Sequence, residues 1–184
     1  MAGIAKGSGM IHPNMGTMLG FIVCDANISS KMLNKALQEA IKNSFNMITV
    51  DGDTSTNDMV SVMCNGEAGN KEIKGEGRDY DAFKENLEKL CIHLAKLIVS
   101  DGEGSTKLIE YNVENAETEA DARQMIRTVS DSNLVKTAIF GTDPNWGRIL
   151  AAAGRSGVDF DPDKVDLFFG PNRNKQVLKK GQPT

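Results

Sequence analysis

Apolar residues recur at helical spacing in several stretches of the chain. In 30–45 and 79–99 they form one continuous stripe with polar residues opposite, which predicts two amphipathic helices. Another helix is predicted from Thr118 to about Val129, because Thr-Glu-Ala-Asp has the form of a capping box. The stretch 146–153 predicts a shorter helix. Helices therefore take up much of the chain.

Short apolar runs between turn-forming residues predict the strands. The predicted strands are 18–24, 59–64, 106–113, 134–140, 165–169 and 176–178, and 47–50 is also prone to β structure. Strands and helices alternate, without an internal repeat or a linker that marks a second domain. This alternation indicates an α/β or α+β fold with a sheet under long amphipathic helices.

Size and charge limit the kinds of protein to be considered. A chain of 184 residues with 40% hydrophobic residues can bury a real core, and one domain is the default expectation. A net charge of −4 with interspersed signs argues against a nucleic-acid surface and an anionic membrane surface. No apolar run approaches the ~20 residues that span a bilayer. Lys6 is not followed by the apolar region of a signal peptide.

The three cysteines are widely spaced and lie outside any C-x-x-C motif. Cys24, Cys64 and Cys91 each stand in an apolar context, which favours buried, reduced thiols over disulfides or metal ligands. Reduced thiols are typical of a cytoplasmic protein.

The segment Lys6-Gly-Ser-Gly-Met-Ile-His-Pro-Asn-Met-Gly-Thr17 is a loop by composition and leads directly into a predicted strand. The hydroxyl of Thr17 could attack the preceding Gly16–Thr17 peptide bond. The freed α-amine would then lie beside that hydroxyl and act as its base, which is one known way to activate threonine. Taken alone, an ordinary connection between a loop and a strand is the commoner explanation.

The full segment closely resembles the self-cleavage segment of the ornithine acetyltransferase family, which has the form K-G-S-G-M-I-x-P-N-M-[A/G]-T. Three further blocks match that family in the same order: 51–58 (DGDTSTND), 101–107 (DGEGSTK) and 140–148 (FGTDPNWGR). The similarity therefore covers nearly the whole chain. It implies a layered helix-sheet-sheet-helix sandwich of the self-cleaving ornithine acetyltransferase / DmpA type.

The resemblance also implies how the chain is divided. Residues 1–16 would be the end of the N-terminal (alpha) chain with the cleavage segment, and 17–184 an incomplete C-terminal (beta) chain that forms a single domain. Two alpha and two beta chains would form a heterotetramer.

By the same resemblance, the chain belongs to a glutamate N-acetyltransferase of arginine biosynthesis. After autoproteolysis at Gly16–Thr17, acetyl passes from N2-acetyl-L-ornithine to L-glutamate through an acetylated Thr17. Lys6 and Glu103 bind the substrate by direct match to the family's motifs. No cofactor is implied, although some relatives also take acetyl from acetyl-CoA.

Two departures from the family pattern qualify this expectation. Gly16 stands where alanine is commoner, and the family's oxyanion-hole Thr-Gly lies upstream of the segment in sequence that is absent here. The substrate-binding Asn and Thr at the family's C-terminus are also absent. We therefore expect this chain alone to be nearly inactive. Two alternatives stay open: a self-processing aminopeptidase, and a catalytically inert piece that only folds or associates.

The loop 51–58 begins D-x-D, which suggests calcium. An EF-hand requires glycine and glutamate at its sixth and twelfth positions, where this chain has Thr56 and Val62. A turn whose polar side chains bond their own backbone is the favoured explanation, placed near the active site by the resemblance. Arg148 is expected to form a structural ion pair. His12 and His93 lack ligand-spaced partners, so no metal site is predicted.

Overall fold

The computed structural model describes residues 1–12 and 18–184. The chain divides into two compact units, Met1–Leu108 and Ile109–Thr184, and each is described by itself. Both combine helices with a sheet, so the predicted mixed α/β class is confirmed. The prediction of one domain for residues 17–184 stays a prediction.

The first unit contains a three-stranded sheet and two long helices. Their order is β1 (Ala2–Lys6), β2 (Leu19–Cys24), α1 (Ser30–Lys42), β3 (Met59–Cys64) and α2 (Arg78–Ser100). Strand β2 is central, with β1 antiparallel on one side and β3 parallel on the other. The two helices and two strands that the pattern predicted here are confirmed within a few residues. Strand β1 was not predicted.

One face of this sheet is buried against α1 and α2. The buried apolar side chains of this core are Ile11, Met18, Ile22, Met32, Ala36, Ala40, Phe45, Tyr80, Phe83, Leu87, Cys91, Leu94, Ala95 and Ile98. Helix α1 begins where predicted, because the side chain of Ser29 accepts a hydrogen bond from the backbone N–H of Met32. The stripe of apolar residues in each helix thus becomes the contact with the sheet.

A glycine in β1 permits close packing between this strand and α2. A Cβ at Gly3 would stand 3.1 Å from a side-chain carbon of Ile22 and 3.1 Å from one of Leu94. Any larger residue would therefore push β1 away from the helix.

The other face of the sheet is exposed and apolar. Because side chains alternate along strands, the residues between the buried ones point to this face. They include Ile4, Phe21, Val23, Met59 and Met63. The helix-sheet-sheet-helix arrangement implied by the family resemblance needs a second sheet against a face of this kind.

The connection after α1 differs from expectation. Residues 47–50 were considered prone to β structure, but Phe45–Met47 form a turn of 3₁₀-helix. Phe45 is buried in the first core, which anchors this turn beneath the sheet. Of the β-prone stretch only Met47 belongs to this turn, and residues 48–50 form no strand.

The second unit contains three helices followed by a small antiparallel sheet. The elements are α3 (Glu119–Ser130), α4 (Asn133–Phe140), α5 (Trp146–Gly154), β4 (Leu167–Phe169), β5 (Lys175–Lys179) and β6 (Gln182–Pro183). Its core consists of Val129, Val135, Ala152 and Ala153, with partly buried apolar residues around them. Thr118 caps α3 as predicted, because its hydroxyl accepts a hydrogen bond from the N–H of Asp121. The carboxylate of Asp121 accepts from the Thr118 hydroxyl rather than from the backbone N–H that a full capping box would use.

The prediction of a strand at 134–140 was wrong, since this stretch forms helix α4. Val135 and Ala138 are buried and Ile139 packs against the same core, which is helical spacing. Leu134 and Phe140, at the two ends of the run, are exposed. A short apolar run has no reliable period of its own, and the neighbouring helices decided its structure.

The prediction of a strand at 106–113 was also wrong. The stretch has no regular secondary structure. Exposure alternates from Ile109 to Val113 as in a strand. However, neither of the two sheets found in the described part of the chain includes these residues. A strand requires a hydrogen-bonded neighbour, so an extended pattern alone is insufficient.

The three cysteines are free thiols. Cys91 is buried in the first core, whereas Cys24 and Cys64 are half-buried and lie opposite each other at the ends of β2 and β3. Burial raises the pKa of the Cys91 thiol to about 11. Burial, assisted by the adjacent Cys24 thiol, likewise raises the pKa of Cys64 to about 11.

We expect Cys64 to react with iodoacetamide roughly tenfold more slowly in the folded chain than in urea, at about pH 8. A rise of about two pKa units lowers the thiolate fraction roughly 100-fold, and the more basic thiolate regains about tenfold in nucleophilicity. Peptide mass spectrometry over time would measure the rate, and buried Cys91 should react more slowly still. Equal Cys64 rates in the folded and unfolded chain would contradict the raised pKa.

Candidate active site

Three strand ends of the first unit meet at one edge of its sheet. Lys6 is the last residue of β1 and pairs with Leu19, the first residue of β2. Leu19 in turn pairs with Met59, the first residue of β3. Gly16 and Thr17 lie outside the described residues. Because Thr17 is covalently joined to Met18, which leads into β2, the chain enters the sheet at the edge where Lys6 stands.

Asp51 fixes the chain on the N-terminal side of residues 13–17. Its Oδ2 accepts a hydrogen bond of 2.6 Å from the N–H of Met10, and its Oδ1 one of 3.1 Å from the N–H of Ile11. Val50 reinforces this contact by donating its N–H to the carbonyl oxygen of Ile11 at 2.8 Å. The beginning of the loop 51–58 is therefore bound to the end of the Lys6–Ile11 stretch.

Asp58 fixes the chain on the C-terminal side. Its Oδ1 accepts a hydrogen bond of 2.7 Å from the N–H of Met18, and the N–H of Met59 donates to the carbonyl oxygen of Met18 at 3.1 Å. The other carboxylate oxygen of Asp58 is buried without a hydrogen-bond partner among the described residues. The loop 51–58 thus holds both sides of the segment that contains Gly16 and Thr17.

Glu103 reaches the same region from the turn that follows α2. Its N–H donates to the carbonyl oxygen of Ser8 at 2.8 Å, which joins the turn to the residue two positions after Lys6. Its Oε2 lies 3.4 Å from the point where a Cβ on Gly9 would stand, and Oδ2 of Asp51 lies 3.8 Å from that point. Two carboxylates therefore flank Gly9 at ordinary contact distance.

The turn that presents Glu103 is tightly packed. A Cβ on Gly102 would stand 3.1 Å from the carbonyl oxygen of Val99 and 3.2 Å from a side-chain carbon of Val50. Only glycine fits between the end of α2 and the residue before Asp51 without displacing one of them. This packing brings the Glu103 turn and the loop 51–58 together around the segment.

The predicted substrate residues Lys6 and Glu103 thus belong to one region, together with both flanks of the predicted nucleophile. A lysine ammonium and a glutamate carboxylate can bind the two charged ends of an amino acid. A hydroxyl nucleophile in this region would act on a group carried by that amino acid. The arrangement suits acyl transfer between amino acids.

Sequence reasoning missed the roles of Asp51 and Asp58. The loop does bond its own backbone as predicted, because Asp51 accepts from the N–H of Asp53 and Ser55 from that of Asn57. Its first and last acids also bind backbone about 40 residues earlier in the chain. The available signal was their placement at the two ends of the loop, with Asp58 directly before a strand.

The other singled-out residues have structural contacts. His12 Nδ1 lies 3.3 Å from the hydroxyl of Thr49. Arg148 donates to the carbonyl oxygen of Leu134 and to the hydroxyl of Thr137, which joins α5 to α4. Within residues 1–12 and 18–184, no three histidine, cysteine or acidic side chains are grouped to hold a metal. None of the helices in that part is long and apolar enough to span a membrane.

Comparison with known proteins identifies relatives along the whole chain. The model of the ArgJ family matches residues 1–184. "Arginine biosynthesis bifunctional protein ArgJ" of Symbiobacterium thermophilum is 57% identical over 180 residues, covering 98% of this chain and 44% of that protein. The ArgJ protein of Streptococcus thermophilus is 60% identical over 170 residues, covering 92% and 43%. The chain thus spans less than half the length of these relatives.

A solved structure is similar in fold to most of this chain. The crystal structure titled as arginine biosynthesis bifunctional protein argJ from Bacillus halodurans superposes with a TM-score of 0.86 at 46% sequence identity. The match covers 91% of this chain and 78% of that one. Sequence and fold agree, and the chain belongs to the ArgJ family.

Proposed function

We propose that this chain supplies the nucleophile and part of the substrate site of a glutamate N-acetyltransferase in arginine biosynthesis. The observation that carries the proposal is the convergence of Lys6, Glu103 and both anchored flanks of Thr17 at one edge of the sheet. Its relatives are named for arginine biosynthesis, which supports amino-acid substrates.

The first step is cleavage of the chain at Gly16–Thr17. The Thr17 hydroxyl adds to the Gly16 carbonyl carbon, and the peptide C–N bond breaks as the α-nitrogen takes up the hydroxyl proton. Water then hydrolyses the resulting ester, which releases a Gly16 carboxylate and restores the hydroxyl. The product is an N-terminal Thr17 whose own α-amine can serve as a base.

Acetyl transfer then uses the same hydroxyl. Its oxygen attacks the acetyl carbonyl of N2-acetyl-L-ornithine while the α-amine accepts the proton. The amide C–N bond breaks, ornithine leaves with that proton, and acetyl-Thr17 remains. The α-amine of glutamate attacks the ester, the C–O bond breaks, and N-acetylglutamate leaves, so the kinetics should be ping-pong.

The two charged residues bind the amino-acid substrates. Lys6 provides a cation for a substrate carboxylate, and Glu103 a carboxylate for the side-chain ammonium of ornithine. Gly102 supports this role, because it allows the Glu103 turn to pack closely against Val50, the residue before Asp51. Acetyl-CoA would be a second acyl donor, and no cofactor is required.

The relatives are more than twice as long as the matched segment, so the proposal includes partner segments. We expect an oxyanion hole from upstream sequence and a heterotetramer of two alpha and two beta chains. Loss of one oxyanion donor costs about 10²–10³ in rate, so the chain alone should be nearly inactive. The site would therefore be completed by the remainder of the enzyme.

The test uses a hybrid enzyme, in which this chain replaces the matching segment of the Symbiobacterium thermophilum relative. Incubation with N2-acetyl-L-ornithine alone should add one acetyl group to a peptide that begins at Thr17. Glutamate should then remove the acetyl group as N-acetylglutamate. Free acetate without glutamate would favour the aminopeptidase-like hydrolase, and an uncut, unmodified hybrid would favour the inert piece. Intact-mass spectrometry distinguishes all three outcomes.

A further inference from the structure

Asp58 carries an unused hydrogen-bond acceptor beside Met18, the residue that follows the proposed nucleophile in sequence. Its Oδ1 is occupied by the N–H of Met18, whereas Oδ2 is buried and has no partner among residues 1–12 and 18–184. Buried carboxylate oxygens are nearly always hydrogen-bonded, so an orphaned one calls for an explanation. A donor that exists only after the chain has been processed would be such a partner.

Covalent geometry limits how far the reacting groups can be from this carboxylate. The N–H of Met18 that Asp58 binds belongs to the peptide bond formed with Thr17. The α-nitrogen of Thr17 is three bonds from the Met18 nitrogen, which places the two nitrogens within about 3.7 Å of each other. Met18 N lies 2.7 Å from Asp58 Oδ1, so the α-nitrogen of its neighbour can be at most about 6.4 Å from that oxygen.

Cleavage at Gly16–Thr17 would create the missing donor. Before cleavage the α-nitrogen is a neutral amide with one N–H. Afterwards it is an amine that takes up a proton near neutral pH and carries up to three N–H groups. A buried, unpaired carboxylate oxygen pairs best with a cationic donor of this kind.

Asp51 is also an aspartate, but both of its carboxylate oxygens accept hydrogen bonds. Its Oδ2 accepts from Met10, and its Oδ1 accepts from Ile11 and Asp53. Both acids anchor the segment, but only Asp58 keeps an oxygen available. The difference separates an anchoring role, which the two share, from a second role that belongs to Asp58.

We infer that Asp58 is a positioning residue, which holds the N–H of Met18 through Oδ1 and binds the new α-amino group of Thr17 through Oδ2. This inference rests on the proposed cleavage and on Thr17 as nucleophile. The carboxylate fixes the α-amine beside its own hydroxyl, where the amine acts as base. It also stabilises the protonated amine formed when the hydroxyl attacks.

The matched variant is Asp58→Asn in the hybrid enzyme. The amide oxygen of asparagine can keep the bond to Met18, while its NH₂ group replaces the free acceptor and the charge is lost. A carboxylate raises the pKa of a nearby ammonium, so the wild-type α-amine loses its proton at higher pH than the variant's. The acid limb of kcat/KM should move down by about one pH unit. On the plateau above that limb, kcat should fall at least tenfold, because the amine is no longer held beside its hydroxyl.

Asp51→Asn is the control. Lys6, His12 and Glu103 are present in both variants, so they do not account for a difference between them. We expect Asp51→Asn to keep the acid limb of the wild type, because no oxygen of Asp51 is left for the amine. The inference would be overturned if the acid limb of kcat/KM did not shift in Asp58→Asn, or if it shifted equally in Asp51→Asn.

A second measurement requires neither self-cleavage nor catalysis. The hybrid is expressed as two polypeptides, of which the first ends at residue 16 and the second begins with a removable leader followed by Thr17. An added protease cuts off the leader and exposes the α-amine of Thr17. The pH dependence of labelling by an amine-reactive acyl reagent gives the pKa of the α-amine. It should be above the usual 7.7–8.0 in the wild type and return to that range in Asp58→Asn. Equal values would overturn the role of Asp58, whereas failure of acetyl transfer alone would count only against the proposed function.

Discussion

Thr17→Ala in the hybrid enzyme should stay uncut at Gly16–Thr17 and form no acetyl adduct. Both proposed steps use the same hydroxyl, so its removal eliminates cleavage and transfer together. Loss of a nucleophile that works as a unit with its base lowers kcat by several orders of magnitude, and we expect about 10⁴-fold or more. Intact mass would show one chain across the bond, and a coupled assay for N-acetylglutamate would give the rate.

Thr17→Ser is the matched control, because it keeps the hydroxyl and removes only a methyl group. Serine should still cleave and still form an acetyl ester, at a rate within about 10² of threonine. If Thr17→Ala still cleaved and still became acetylated, the nucleophile would be another residue. If serine were as inactive as alanine, the methyl group and not the hydroxyl would be the essential feature.

Helical parts of the fold were predictable because local signals agreed with the final packing. Helices α1 and α3 begin at Ser30 and Glu119, where a side chain caps the first turn. The apolar stripe of α2 includes five of its buried residues, which are Phe83, Leu87, Cys91, Leu94 and Ile98. Leu97, on the same stripe, is exposed. In these segments, sequence period and tertiary contact lead to the same structure.

Strand β1 and helix α4 were not predictable for the same physical reason. Ala-Gly-Ile-Ala-Lys contains one β-branched residue, and it forms a strand because the edge of β2 offers it hydrogen bonds. The run 134–140 becomes a helix because α3 and α5 bury its positions at helical spacing. In both cases contacts with elements distant in sequence determine the secondary structure, and the local sequence pattern carries no information about those contacts.

The candidate site shows the same division. Lys6 and Glu103 were found by resemblance to a family, whose motifs carry them. Asp51 and Asp58 were seen only as turn residues, since their partners lie about 40 positions away and are backbone amides. A backbone donor leaves no mark in sequence, so only the fold reveals that this loop holds the segment on both sides.

Leu87→Ala should lower the free energy of unfolding of the first unit by about 3–5 kcal/mol. Leu87 has no exposed surface and lies in the centre of α2, so truncation removes apolar contact and leaves a cavity beneath the sheet. Leu97→Ala is the control on the same helix, because its side chain is 52% exposed. That change should stay within about 0.5 kcal/mol.

Native-state hydrogen exchange on peptides from α1 and α2 would measure the difference in this chain, because slow amides in the core report the unfolding free energy of their own unit. Protection should fall for both helices in Leu87→Ala, since they share one core. It should remain near wild type in Leu97→Ala. Similar protection in the two variants would show that α2 is not the main support of the sheet. The strand ends that carry Lys6, Met18 and Asp58 would then depend on other contacts.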